Sequence, residues 1–505
     1  MYLSVLLAYA DMDHSFFDRM FNSDSMYFPS LFQEFFIEGE GFGEFKLNGQ
    51  PNFFPDMIIY FPIYALIRSI VWSGIIYSLV QVSIFIIIIF QLAKELLPQE
   101  KVKIASSLVV FIFTFIIGSA AFGKEWIIPF QILSNGFHTS AFILALLALL
   151  FYLKINEDTK KLISLLGLAV FIGTLNDGLF SVLFVIPFLI TIFVSSFLIK
   201  KTKPLVLAGV VITASLFAQA IYRAIGECTS WSFIKQGYSL SVPMWKKSAA
   251  VFFEMWSSHL FSFNFNTFIS IVGLSAIGQS LFCIRKRYLL KMNLFFVAFV
   301  IATVFTPLLL GTLDNPFKLR YSVFVFYFAP IILCINSTHI FSMRYIERYA
   351  ITLSLVLAVV LGLMVGKLDK NVVMSRATEY QPQRVKDIDL LCDKVPGLKN
   401  GVSTYWSAKQ TTYFSSSGVK IYAIYYPELK PNLYTGHNKW WYYGKDDGLQ
   451  QEFNFVVMNK PEDTLLLKKE YPQIDFDVYN EGGTYLVIMP TFKFGKGIDG
   501  PIFSN

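Results

Sequence analysis

Only four of the 505 residues are cysteine, five are histidine, and 15% are charged. Cys283 and Cys334 fall inside apolar runs, while Cys228 and Cys392 are isolated residues that do not establish a bridge. A disulfide-stapled fold is excluded. No Cys-x-x-Cys, His-Glu-x-x-His or Gly-x-x-x-x-Gly-Lys-Ser/Thr spacing occurs, so dithiol redox, zinc-hydrolase and nucleotide-motor readings have no foothold. Charge is the most informative shortage, because a soluble domain carries about 25% charged residues. The net charge of +7 therefore reads as a topology signal, with no nucleic-acid partner implied.

Hydrocarbon takes the place of charge: 55% of the residues are hydrophobic and 53 are Phe. The run "GIIYSLVQVSIFIIIIFQLA", Gly74 to Ala93, exceeds the roughly 18 apolar residues that argue for a spanning helix. Similar runs predict spans near 74–94, 104–122, 137–153, 162–176, 178–199, 204–222, 264–284, 292–312, 319–337 and 349–366. As one helix, 57–94 would be about 57 Å long, too long for a single crossing. Residues 57–72 therefore read as a half-inserted helix. "MYLSVLLAYA" would reach only about 15 Å; it lacks a basic leader and reads as a truncated first span. The expectation is a polytopic α-helical membrane protein with about 10–11 transmembrane helices.

Lys94, Lys101 and Lys103; Lys154, Lys160 and Lys161; Lys200, Lys201 and Lys203; Arg285, Lys286, Arg287 and Lys291; and Arg344 and Arg348 occupy every second connection. The positive-inside rule assigns those connections to the cytoplasm. Residues 1–366 are then a multi-pass domain with a first outer loop at 11–56. Residues 367–505 form a small extracytoplasmic α/β domain, with a helix at "QRVKDIDLLCDKV" and strands at "VKIYAIYY", "FNFVVM" and "TYLVIM".

Chemistry concentrates in the first loop. It holds Asp11, Asp13, Asp18, Asp24, Glu34, Glu38, Glu40, Glu44 and Asp56 against Arg19 and Lys46. An acidic outer loop is one reading; a carboxylate site that activates a hydroxyl or holds a divalent metal ion is the other. Asp24 and Tyr27 share a face if their segment is helical. Phe28, Leu31, Phe32, Phe35 and Phe36 then make an apolar stripe suited to the membrane interface. "PNFFPDMIIYFP" returns the chain to the bilayer with a further acid, Asp56.

An Asp followed three residues later by Tyr, in the loop after the first span and before a Pro-aromatic re-entry, resembles the GT-C superfamily. These are polyprenyl-phosphate-sugar-dependent membrane glycosyltransferases, and the likeness is to their bacterial dolichyl-phosphate-mannose-protein-mannosyltransferase-like branch. That branch has Asp-Glu-x-x-Tyr followed by His-Pro-Pro; here Ser25 stands for the Glu and "NFFPD" for the His-Pro-Pro. The resemblance implies Asp24 as catalytic acid or base with Tyr27 beside it, Asp13 and Asp56 ranking second, and Asp24 and Asp13 as the candidates for any metal. It implies inverting sugar transfer from a polyprenyl-phosphate donor, in a bacterial inner membrane, to a glycan, lipid or protein acceptor at the outer face.

Lys318, Arg320 and Tyr321, at the mouth of a late span, are candidates for the donor phosphate, as is Arg68 within the apolar half-helix. A snorkelling anchor explains the Arg at the mouth equally well. His138 and Asp177 are further candidates; Asn176-Asp177-Gly178 is most simply a tight turn. Two other functions fit the composition: a transporter or flippase of a lipid-linked substrate, and a non-catalytic assembly protein with a binding outer domain.

Overall fold

A computed structural model describes residues 16–39, 45–48, 50–99, 101–110, 138–155, 160–199, 203–228, 241–261, 265–312, 322–341, 377–432 and 451–495, with shorter pieces between. Five described helices are long and apolar enough to cross a membrane: Ile70–Leu96, Ser181–Leu198, Leu205–Gly226, Ile269–Lys286 and Leu290–Leu309. Thr139–Lys154 and Phe324–Ile340 are shorter apolar helices packed among them. The expected spans at 104–122 and 349–366 fall largely outside the described residues. A helix at Val242–Phe261 was not foreseen. Lys246, Lys247 and Glu254 interrupt its apolar character, so no hydropathy window marks it.

A short apolar helix occupies part of the expected 57–72 segment. Ile58–Ile67 is helical, Arg68 ends it in the left-handed region at φ 54°, and Ser69 caps the next helix through Trp72 N at 3.4 Å. The two helices form a hairpin: Tyr60 and Tyr77 rings lie 6.0 Å apart across it. Arg68 is exposed at its apex. The following helix, at 27 residues, is about 40 Å long. Lys94 lies in its last turn, while Tyr77 is about 10 Å from the end that begins at Ile70.

Large aromatics fill the bundle core. Phe142 packs against Phe85, Phe299, Phe324 and Phe328, and all five side chains are buried. Asn336 Nδ2 donates to Asn293 Oδ1 at 2.7 Å inside it. A buried amide without a partner would cost about 1–3 kcal/mol, so the pair satisfies itself.

The C-terminal part is an α/β unit, with helices at Gln383–Lys394, Tyr405–Phe414 and Pro461–Glu470. Its strands are β2 (Asn400–Thr404), β3 (Lys420–Tyr425), β4 (Lys430–Pro431), β6 (Phe453–Met458), β7 (Asp477–Glu481), β8 (Thr484–Phe494) and β9 (Pro501–Phe503). They join in the order β4-β3-β2-β6-β8-β7, with β9 on β8. β2 runs parallel to β3 and β6; the other pairings are antiparallel. Cys392 is a free thiol.

This unit is fastened to the first loop. β1 (Phe45–Lys46) pairs antiparallel with β5 (His437–Asn438). Tyr380 Oη donates to Asp18 Oδ1 at 2.6 Å, and Gln410 Nε2 donates to the Phe21 carbonyl at 3.1 Å. The rings of Phe17, Phe21, Tyr380 and Phe414 close the seam.

Candidate active site

Asp24 does not lie on the helix expected for it. The helix begins at Tyr27, and Asp24 sits in the turn before, its carbonyl accepting from Tyr27 N at 3.1 Å. Asn22 causes this: its Oδ1 accepts from Asp24 N at 2.9 Å and Ser25 N at 3.2 Å. Such an Asx turn competes with helix for the same amides. The carboxylate of Asp24 is half-buried, and its Oδ1 accepts from Tyr405 Oη at 2.8 Å. Ser25 turns inward and donates to the Met20 carbonyl at 2.6 Å. The residue standing where the GT-C motif has Glu thus braces the loop.

The apolar stripe is a second correction. Phe28 and Leu31 are fully buried with Tyr27, Tyr60 and Tyr77, while Phe36 is exposed. The segment is half core, so it is not a free interfacial face. Phe28 bridges the Tyr60 ring at 5.4 Å and the Tyr77 ring at 6.3 Å, making one aromatic wall.

Asp56 lies beyond that wall, fully buried. Its Oδ1 accepts from Tyr77 Oη, which is 3.1 Å from Gln81 Oε1. Asp56 Oδ2 has no hydrogen-bond partner among the described residues, nor do Ser140 Oγ, Asn176 Nδ2 and Asn52 Oδ1, all buried. Ser140 and Asn176 face Asp56 without closing a bond of ordinary geometry. Buried polar atoms are normally satisfied, so Asp56, Ser140 and Asn176 retain hydrogen-bonding capacity that a water or a polar ligand would meet.

His138 and Asp177 complete this chamber. His138 Nδ1 lies 2.6 Å from Asp177 Oδ2, and both side chains are buried. Each sits at a helix end: His138 precedes Thr139–Lys154, and Asp177 follows Lys160–Asn176. Asp177 Oδ1 also accepts from Leu179 N at 2.9 Å, so the tight-turn reading holds and the side chain has a second task. Asn176 Oδ1 accepts from Phe54 N at 3.0 Å, tying the first loop to the same corner. Tyr222 lies within electrostatic reach of both Tyr27 and Asp177, linking the chamber to the Asp24 turn.

Sequence reasoning did not single out Tyr77, Ser140, Tyr405 or Lys409. Lys409, on the helix Tyr405–Phe414, is buried with its Nζ 6.0 Å above the Tyr27 ring and has no hydrogen-bond partner among the described residues. Burial pulls its amine down to about 7, against the opposing pull of Asp24 and Glu34. Burial pushes the Tyr27 phenol up. In the sequence Lys409 is one lysine of a polar stretch, and nothing local shows that the stretch is covered.

Asp13, Lys318, Arg320 and Tyr321 lie outside the described residues. Among the described residues no three His, Cys, Asp or Glu side chains converge on one point, and Asp13, the other candidate metal ligand, lies outside them. Divalent cations held by protein require several oxygen ligands or a mixed nitrogen and oxygen set.

No family model and no curated protein matches the chain. Solved structures that align with it include two of ArnT. The crystal structure of ArnT from Cupriavidus metallidurans bound to undecaprenyl phosphate aligns at 12% identity over 96% of this chain and 96% of that one, with a TM-score of 0.49. ArnT in the apo state aligns at 12% identity over 92% and 93%, with a TM-score of 0.47. At those values the functional reading is left to the geometry of the site.

Proposed function

We propose that this protein is a membrane glycosyltransferase that moves a sugar from a polyprenyl-phosphate donor to a hydroxyl acceptor at the outer face of the membrane. The observation that carries the reading is the pairing of Asp24, half-buried and fixed by Asn22 and Tyr405, with a buried polar chamber around Asp56. Both stand at the end of an apolar bundle away from Lys94 and Lys154. Sugar transfer from a lipid carrier needs this set: a carboxylate for the acceptor proton, polar groups for the sugar, and an apolar surface for the isoprenoid.

Asp24 takes the acceptor proton. The chamber of Asp56, Ser140, Asn176 and the His138–Asp177 pair receives the donor sugar. Single displacement at the anomeric carbon inverts its configuration. Lys318 and Arg320 neutralise the leaving phosphate, Tyr321 donates a hydrogen bond to it, and Arg68, exposed at the hairpin apex, meets a lipid headgroup. The test is release of sugar from a radiolabelled polyprenyl-phosphate hexose by the purified protein in lipid nanodiscs. Wild type should consume the donor and Asp24→Asn should not. A wild-type protein that neither binds nor consumes such donors removes the reading.

A further inference from the structure

The C-terminal unit does more than pack against the first loop. Lys409 reaches from it onto the first loop, and its amine is held among Asp24, Glu34 and the face of Tyr27. Glu34 and Lys409 are both buried, at 3% and 5% exposure. Fully buried amines are normally paired, because an unpaired buried charge is strongly disfavoured. Here Nζ makes no hydrogen bond to any described residue, although two carboxylates lie within its electrostatic reach. A donor with three N–H bonds thus stands across from carboxylate acceptors, with an aromatic face below.

A hydroxyl group satisfies that arrangement and an anion does not. A hydroxyl accepts from the amine with its lone pairs and donates its proton to a carboxylate. A phosphate would meet Asp24 and Glu34 as like charges.

We propose that Lys409, Asp24, Glu34 and Tyr27 form a sugar-hydroxyl subsite, shared between the C-terminal unit and the first loop, that holds the acceptor. The assignment of this sugar as acceptor rests on the glycosyltransferase reading; its binding does not. In the transfer step the acceptor O–H proton passes to the Asp24 carboxylate. The oxygen's electron pair forms the new bond to the anomeric carbon. The bond from that carbon to the phosphate oxygen breaks, its pair leaving with the phosphate. Lys409 donates to the acceptor oxygen as it gains negative character.

The test is saturation-transfer NMR on the full chain in nanodiscs, titrated with methyl glucoside, methyl mannoside and methyl galactoside. Wild type should bind at least one of them saturably, and Lys409→Met should weaken that binding about 10-fold or more, the loss expected for a hydrogen bond to a charged donor. Lys409→Arg, which keeps the charge, should recover part of it. If Lys409→Met does not fold, Glu34→Gln replaces it with the same expectation. Equal binding by wild type and variant, or no binding of any glycoside by wild type, overturns the subsite. Donor consumption is read separately: binding without donor consumption keeps the subsite and removes the glycosyltransferase reading.

Discussion

His138 Nδ1 and Asp177 Oδ2 meet at 2.6 Å inside the bundle, joining the ends of two helices that are 39 residues apart at this point. Removing one partner strands the other in a buried site, which costs about 3–5 kcal/mol when the pair is ionic. His138→Ala should therefore lower the melting temperature of the detergent-solubilised protein sharply. The double variant with Asp177→Asn should recover part of the loss. Equal melting of wild type and His138→Ala would show that the contact contributes nothing.

Asp56 and Tyr77 separate geometry from charge. Asp56→Asn keeps the shape of the chamber and removes the carboxylate, so donor consumption should fall by about 100-fold or more. Tyr77→Phe leaves the charge and removes one donor, and should cost about 10-fold. Rates from single-turnover assays with labelled donor check the order; a larger loss in Tyr77→Phe would reverse the roles.

Tyr405 holds Asp24 from the C-terminal unit at 2.8 Å. Tyr405→Phe should reduce turnover about 10-fold and also lower the melting temperature, since hydrogen bonds to charged groups contribute about 1.5–3 kcal/mol. Asp24→Asn should abolish turnover. An unaffected Tyr405→Phe enzyme would show that the C-terminal unit does not position the carboxylate.

Lys409 gives a pH signature of known sign. Its amine titrates near 7 in the folded protein, against 10.5 for an unburied lysine. Above both values the amine is neutral folded or unfolded, and burial has no charge cost. As the pH falls from about 10.5 to about 7 only the unfolded chain takes the proton, so wild-type stability falls, by at most about 1.4 kcal/mol per pH step. Below about 7 the penalty stays constant. Lys409→Met lacks it, so its advantage in melting temperature over wild type should grow from pH 10 to pH 7 and then level off. A difference independent of pH would refute the burial.

Gly173 tests the corner itself. A Cβ there would lie 2.4 Å from the Phe180 ring, and the Gly173 carbonyl accepts from Asp177 N at 3.0 Å. Gly173→Ala should cost about 1–3 kcal/mol through overpacking. It should also lower activity by displacing Asp177. Phe180→Leu in the same chain should relieve part of both effects.

The membrane class, a short helix within 57–72 and three of the seven strands of the C-terminal sheet (β3, β6 and β8) were legible because they rest on local pattern: apolar run length, helix length against bilayer thickness, and alternation. Asp24, Asp56, His138 and Asp177 were legible as candidates because acids and a lone histidine are conspicuous in so apolar a chain. Their arrangement was not. The Asp24–Tyr27 helix gave way to an Asx turn because Asn22 captures two amides. The partnership of His138 with Asp177 depends on helix packing, which no local spacing encodes. Lys409 escaped for the opposite reason: its importance comes from being covered, and what covers it is the first loop.

That seam has a consequence for biogenesis. Asp24 and Tyr405 are 381 residues apart, and β1 must wait for His437–Asn438 before it has a partner. At synthesis rates of about 5–20 residues per second the first loop is exposed for roughly 20–80 s before Tyr405 is made. The acidic segment must stay unaggregated beside the bilayer through that interval. Its assembly is therefore among the last events in the life of the nascent chain, and a ribosome halted before residue 405 would leave an inserted bundle with an unfinished mouth.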